Sequence, residues 1–210
     1  MNFNDLMTSR RSVNFFDPEK DLPEELLRKV IETAANTPSG FNLQPWSLMA
    51  LRNPDDKERL KKLAWNQPKV VEAPVVLIVL ADRDAWKEGH PFVEKNFQEM
   101  VKAGSMAKEQ RQWFADARFS LYGEFSEKQQ AFACKNTGFF AMSLMLAAKN
   151  LGIETHPMDG FDHDGVRNEF HIPDNYWIPL LLAMGYVKDD FIPLSPKWRK
   201  SVEEILVNFY

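Results

Sequence analysis

Thiol and imidazole groups are scarce in this chain, and their scarcity excludes two kinds of chemistry. A single cysteine, Cys134, cannot form an internal disulfide. Four histidines, at 90, 156, 163 and 171, offer no pair at i and i+4 beside a carboxylate, so no metal site is expected. Positive charge is also in short supply: 26 Lys and Arg stand against 30 Asp and Glu, a net charge of -4. Without an extended basic run to displace phosphate counterions, nucleic acid is excluded as a partner. Uninterrupted apolar runs fall far short of about 18 residues, and the N-terminus reaches Asp5 before any of them, so the expectation is a cytoplasmic chain with no membrane partner. No Gly-x-Gly-x-x-Gly follows a predicted strand, so a Rossmann-type dinucleotide site is not indicated either.

What is there suits one substantial core. The 210 residues are 44% hydrophobic, without internal repeat, low-complexity segment or flexible linker, so one domain over 1–210 is expected. Helical turns are predicted over 4–9. Asp21-Leu22-Pro23-Glu24-Glu25 reads as an N-cap, early proline and acidic first turn, followed by Leu26, Leu27, Val30, Ile31 and Ala34 at helical spacing up to Pro38. Residues 46–52 read as a strand and 56–64 as a helix. Val75 to Ala81 is apolar without alternation, the mark of a strand covered on both faces. Residues 82–126 mix charges with Trp86, Phe92, Phe97, Trp113, Phe114, Phe119, Tyr122 and Phe125. This helical excursion reads as core, subunit interface or ligand cover. A long helix over 127–150 ends at Gly152. A short extended piece over 153–161, a helix over 164–170 and a buried strand over 178–186 follow. Residues 193–200 form a polar, proline-bearing tail, and 203–210 a terminal apolar strand that a partner's sheet edge would cover. The fold class is α+β, one sheet sandwiched by helices.

Two polar stretches stand out. Thr8-Ser9-Arg10-Arg11-Ser12-Val13-Asn14 sets two guanidiniums beside a hydroxyl, and the planar fork of arginine pairs donors to phosphate oxygens. Arginines at a helix end also serve simply as cations complementing the helix dipole. Thr37-Pro38-Ser39-Gly40-Phe41-Asn42-Leu43-Gln44-Pro45-Trp46 offers Ser39, Asn42 and Gln44 as donors and acceptors on a loop bent by Pro38, Gly40 and Pro45. By itself it is also an ordinary turn.

Taken together with Asn66-Gln67-Pro68-Lys69, Pro157-Met158-Asp159-Gly160-Phe161 and Pro196-Lys197-Trp198-Arg199, the order of these motifs resembles the FMN-dependent nitroreductase family over nearly the whole chain. The resemblance implies a nitroreductase-like fold with a mostly antiparallel sheet, an obligate homodimer that exchanges C-terminal strands, and FMN at the subunit interface. It implies that Arg10, Lys197 and Arg199 hold the phosphate with Arg11, Ser12 and Asn14 beside them. It places Asn66 and Lys69 at the pyrimidine edge and ribityl chain, and Pro38, Ser39, Gly40, Asn42 and Gln44 on the cofactor from the other subunit. Pro157, Met158, Asp159 and Gly160 would run past the ring, with the Asp159 and Gly160 N–H groups toward N5. A lysine near N1 favours the negative charge of the reduced ring. Asn14 stands where relatives often carry a basic residue, and Asp159 where Glu is common. Phe41, Trp113 and Phe114 are the implied substrate wall. No side chain need be catalytic, because flavin N5 takes and returns hydride. The implied activity moves hydride from NADH or NADPH to nitroaromatics, quinones or similar small molecules. Both substrates stack on one flavin face, hence ping-pong kinetics. A flavin enzyme dedicated to an enone or pteridine, or a flavin-binding protein without turnover, are the other readings.

Overall fold

The computed structural model describes residues 2–192 and 195–207. In chain order its elements are α1 (Phe3–Ser9), α2 (Glu24–Ala34), β1 (Trp46–Leu51), α3 (Pro54–Leu63), α4 (Lys69–Glu72), β2 (Val75–Asp82), α5 (Pro91–Lys102), α6 (Arg111–Arg118), α7 (Ser126–Asn150), β3 (Glu154–Met158), α8 (His163–Glu169), β4 (Tyr176–Gly185) and α9 (Val202–Ile205). The four strands pair antiparallel throughout in the order β1-β2-β4-β3, the α+β sandwich expected.

β2 lies inside the sheet and all eight of its residues are buried. Because side chains alternate across a strand, its two sets face different layers. Val75, Leu77 and Val79 pack with Leu27 and Val30 of α2 and Phe140 and Leu144 of α7. Val76, Ile78 and Leu80 pack with Leu60 of α3, Val70 of α4 and Val166 of α8. Each such aliphatic side chain contributes about 1.5–3 kcal/mol when removed from water, so the absence of alternation in the sequence reports cover on both faces. Among the described residues α7 is the one helix long and apolar enough to cross a membrane. Here Phe132, Phe140, Leu144 and Ala148 are buried, and the helix lies against α2 and the sheet.

Local signals held with three corrections. Asp21 does not cap α2: Pro23 occupies that position without a side-chain bond, and Asp21 lies 3.5 Å from Arg52 instead. The single turn of α4 follows directly on Pro68 and was unforeseen. The expected strand over 203–210 is not a strand where it is described. Ser201 and Glu204 form a reciprocal capping box that starts α9, and Val202, Ile205, Leu206 and Val207 are exposed. Residues 208–210, and 193 and 194 of the polar tail, lie outside the described residues.

Candidate functional site

The N-terminal motif leaves α1 in an extended path and docks on the free edge of β3. Ser12 and Thr155 form a parallel bridge, and the Val13 N–H donates to the Thr155 carbonyl at 3.2 Å. Val13 is buried as the anchor, and its neighbours turn toward a cleft of about 410 Å³. That cleft is lined by Arg10, Arg11, Ser12, Asn14, Lys197 and Arg199, with Met7, Phe15 and Phe191 as its apolar side. Two segments nearly 190 residues apart in sequence thus meet in one place. Four cations line the cleft and, among the described residues, no carboxylate does. Among the described residues the arginines bond to what is local: Arg10 to Ser12 Oγ at 3.5 Å, Arg11 to the Thr8 and Arg10 carbonyls at 2.5 and 2.9 Å, and Arg199 to the Trp198 carbonyl at 2.8 Å. Burial, and then the charges of Arg199 and Arg11, lower the proton affinity of Arg10, against the opposing pull of Glu154. An anion in the cleft removes that repulsion.

Lys69 forms a second centre, on α4. It is buried, and among the described residues no carboxylate lies within ion-pair distance of it. Its ammonium donates to Gln67 Oε1 at 3.2 Å and lies 3.4 Å from His156 Nε2. Desolvation lowers its proton affinity, against the pull of Glu72. Gln67 in turn donates to the Gly160 carbonyl at 2.9 Å, which brings the 66–69 and 157–160 motifs together. Trp65 and Asn66 both adopt left-handed backbone, and the Trp65 ring lies so close to Gly160 that a Cβ there would approach it to 2.8 Å. Glycine is required by that approach. Of the remaining predicted residues here, Asp159 and Asn66 are exposed and Pro157 is half-buried, whereas the Met158 side chain is enclosed in the core. Only the main chain of Met158 is left to face a ligand.

The 38–44 loop goes elsewhere. Ser39 Oγ accepts from the Gln44 N–H at 2.9 Å, and the Gly40 N–H donates to Asn136 Oδ1 of α7 at 3.0 Å. Asn42 donates to Asn96 Oδ1 of α5 at 3.1 Å, and Asn96 donates to the Phe41 carbonyl at 2.7 Å. These bonds hold Phe41, Asn42 and Gln44 in left-handed conformations. Pro38 is exposed at the start of the loop. A Cβ on Gly40 would meet the Tyr122 hydroxyl at 2.5 Å.

Phe41, Trp113 and Phe114 do come together, edge to face, with ring centroids 6.3 and 5.5 Å from Phe41. They differ in access. Trp113 is 55% exposed and Phe114 is fully enclosed, stacked on Phe97 at 5.6 Å and beneath the Arg118 guanidinium at 4.3 Å. Arg118, itself buried, also donates to the Phe114 and Trp86 carbonyls and pairs with Glu88. Phe114 therefore supports Phe41 from within and presents no face to a ligand, which corrects its expected place in the wall.

The sequence reading missed His156, Gln67, Asn96 and Asn136. Gln67 lay inside a motif already singled out; a lone histidine in a strand and two helical asparagines gave no signal.

Comparisons with known proteins bear on the fold and the family. The family model described as "Nitroreductase family" matches residues 7–186. A relative from Thermus thermophilus named NADH dehydrogenase is 34% identical over 185 residues, 88% of this chain and 86% of that protein. The crystal structure of ydfN from Bacillus subtilis superposes with a TM-score of 0.88 at 29% identity, covering 98% of each chain. A crystal structure from Exiguobacterium sibiricum, in complex with FMN, does so at 0.84 and 25% identity, covering 99% of this chain and 97% of that one.

Proposed function

Because the chain belongs to the nitroreductase family, we propose that it is an FMN-dependent oxidoreductase that carries hydride from NADH or NADPH to nitroaromatics, quinones or other electron-poor small molecules. FMN, when bound, supplies hydride acceptance and return at N5. The observation that carries the reading is the cleft in which Arg10, Arg11, Lys197 and Arg199 converge without a carboxylate. Such a donor set fits a dianionic phosphate, and the repulsion it carries without an anion is relieved by one.

In this reading the four cations and Ser12 bind the phosphate, and Asn14 adds a neutral donor. Lys69, buried and without an ionic partner among the described residues, holds positive charge where the reduced ring gathers negative charge. Asn66, Pro157 and the main chain of Met158, Asp159 and Gly160 border the ring. Phe41 and Trp113 bound the substrate space. The 38–44 loop is held rigid on α5 and α7, away from the cation cleft, so Pro38, Ser39, Gly40, Asn42 and Gln44 act on the cofactor of a second copy in a homodimer. The exposed Val202, Ile205, Leu206 and Val207 lie against that partner. The whole chain then works as one domain, with 82–126 as its excursion over the site.

The test is direct. The purified protein is expected to be yellow, to release FMN on denaturation, to bleach anaerobically with NADH or NADPH, and to recover its colour on adding a nitroaromatic or quinone. Ping-pong initial rates are expected. Release of FAD or riboflavin, or no flavin after reconstitution, would overturn the assignment; retention of FMN without bleaching would leave a binding protein.

A further inference from the structure

We propose that His156 is a positioning residue: its imidazole donates from Nδ1 to the Val13 carbonyl and accepts at Nε2 from Lys69, so that Lys69 and the phosphate-binding segment 10–12 are held as one unit. The proposal rests on the FMN reading above and deepens it.

The two contacts specify one state of the ring. The Val13 carbonyl only accepts, so at 2.7 Å the Nδ1 atom carries the proton. The Lys69 ammonium only donates, so at 3.4 Å the Nε2 atom must offer a lone pair. A neutral imidazole protonated at Nδ1 satisfies both neighbours, and no other form does. Gln67 is oriented by the same logic: its amide nitrogen donates to Gly160, which turns its oxygen onto Lys69. Lys69 has three N–H donors, and these are its two side-chain acceptors among the described residues, so one donor remains to be aimed at a ligand.

Connectivity gives the arrangement its use. Val13 follows directly on the cations and Ser12, and is locked to β3 through Thr155. His156 is the next residue of β3. One ring therefore spans from the segment that binds phosphate to the lysine assigned to the ring edge. Protonation of that ring would remove the acceptor and set cation against cation. The charged group facing it is Lys69 from α4. Glu72 of the same turn supports the lysine charge, and its carboxylate accepts from the Phe16 N–H at 3.3 Å. The N-terminal segment presents the Val13 carbonyl, and β4 pairs Ala183 opposite. Burial first, and Lys69 second, lower the histidine pKa and keep the accepting form at neutral pH.

The test measures FMN affinity, from the fluorescence of FMN released on diluting the loaded protein between pH 5 and 8. Ring nitrogen resonances of His156 are read in the same protein. Wild type is expected to show the proton on Nδ1 and to weaken toward acid roughly tenfold more than His156→Gln, in which only the phosphate of FMN titrates. His156→Asn keeps a donor for Val13 and loses the acceptor, so it should bind FMN roughly tenfold more weakly at pH 8, without a histidine inflection. His156→Gln returns an acceptor to Lys69 and should regain affinity at pH 8, keeping only the pH dependence of the FMN phosphate, whose second pKa is about 6. A proton on Nε2, wild-type affinity in His156→Asn at pH 8, or a wild-type profile no steeper than that of His156→Gln would each overturn the proposal. Should a variant fail to fold, the wild-type nitrogen resonances decide alone. A wild type that takes up no FMN overturns the cofactor reading instead, and the nitrogen resonances still decide the state of His156.

Discussion

The cation cleft and the 38–44 loop carry the two polar motifs that dominate the sequence, and they differ in whether their polar groups are already answered. In the loop, Ser39, Gly40, Asn42 and the Phe41 carbonyl are satisfied from within the chain by Gln44, Asn136 and Asn96. In the cleft, like charges face one another across open space, with only local carbonyls and a hydroxyl as partners. A satisfied polar loop is a device for holding shape, whereas an assembly of unneutralised cations is incomplete without an anion. The first should respond to mutation through stability and the second through binding.

Phe114→Ala tests the structural side hardest. It is expected to cost about 3–5 kcal/mol of stability by the cavity it leaves, seen as a large fall in Tm, with FMN content per folded molecule unchanged. A variant of normal Tm with altered kcat/KM ratios between small and large nitroaromatics would return Phe114 to the substrate wall. Arg199→Ala is the counterpart in the cleft. The residue is exposed, so thermal unfolding should change by about 0.5 kcal/mol or less. FMN affinity should fall roughly 10- to 150-fold, the usual range for a hydrogen bond to a charged group, and the loss should shrink at high salt. Equal effects on Tm and affinity would erase the distinction between the regions.

Asn136→Ala sharpens the comparison, because it strands the Gly40 N–H without touching the cleft. A cost of about 1–3 kcal/mol is expected, measured by denaturant titration. The smallest effect concerns acid. The pKa of His156 is lowered in the folded chain from an ordinary value of 6.5, so as pH falls the unfolded chain takes up that proton first. Its contribution to stability is complete above about pH 6.5 and is lost as pH falls through the lower folded value. Wild type should therefore lose more stability than His156→Gln between pH 7 and 5.

Much of this was legible in the residues. β2 and β4 announced themselves as apolar runs because both faces of the sheet are covered, whereas Arg10, Arg11, Lys197 and Arg199 pointed to one site only through the family resemblance, since arginines at a helix end also serve as cations against the helix dipole. What was not legible depended on three-dimensional context. Aromatic density cannot separate Phe114, enclosed under Arg118, from Trp113 beside it in sequence, since adjacent helical positions point in different directions. The C-terminal segment was misread because its apolar residues suggest a strand while Ser201 and Glu204 cap a helical turn, and the choice between the two belongs to whatever covers it. His156 was silent because a histidine's function lies in its tautomer, which neighbours determine.

The bridge between Ser12 and Thr155 has a consequence for solubility. β3 is an outer strand, and outer strands expose main-chain groups that template pairing with other chains. Residues 12 and 13 occupy part of that edge, so the segment that delivers the cations also blunts one margin of the sheet. Deleting residues 2–13 should therefore do more than remove the proposed phosphate contacts: it bares the β3 edge, and faster concentration-dependent aggregation, followed by light scattering, is the expected mark of its loss.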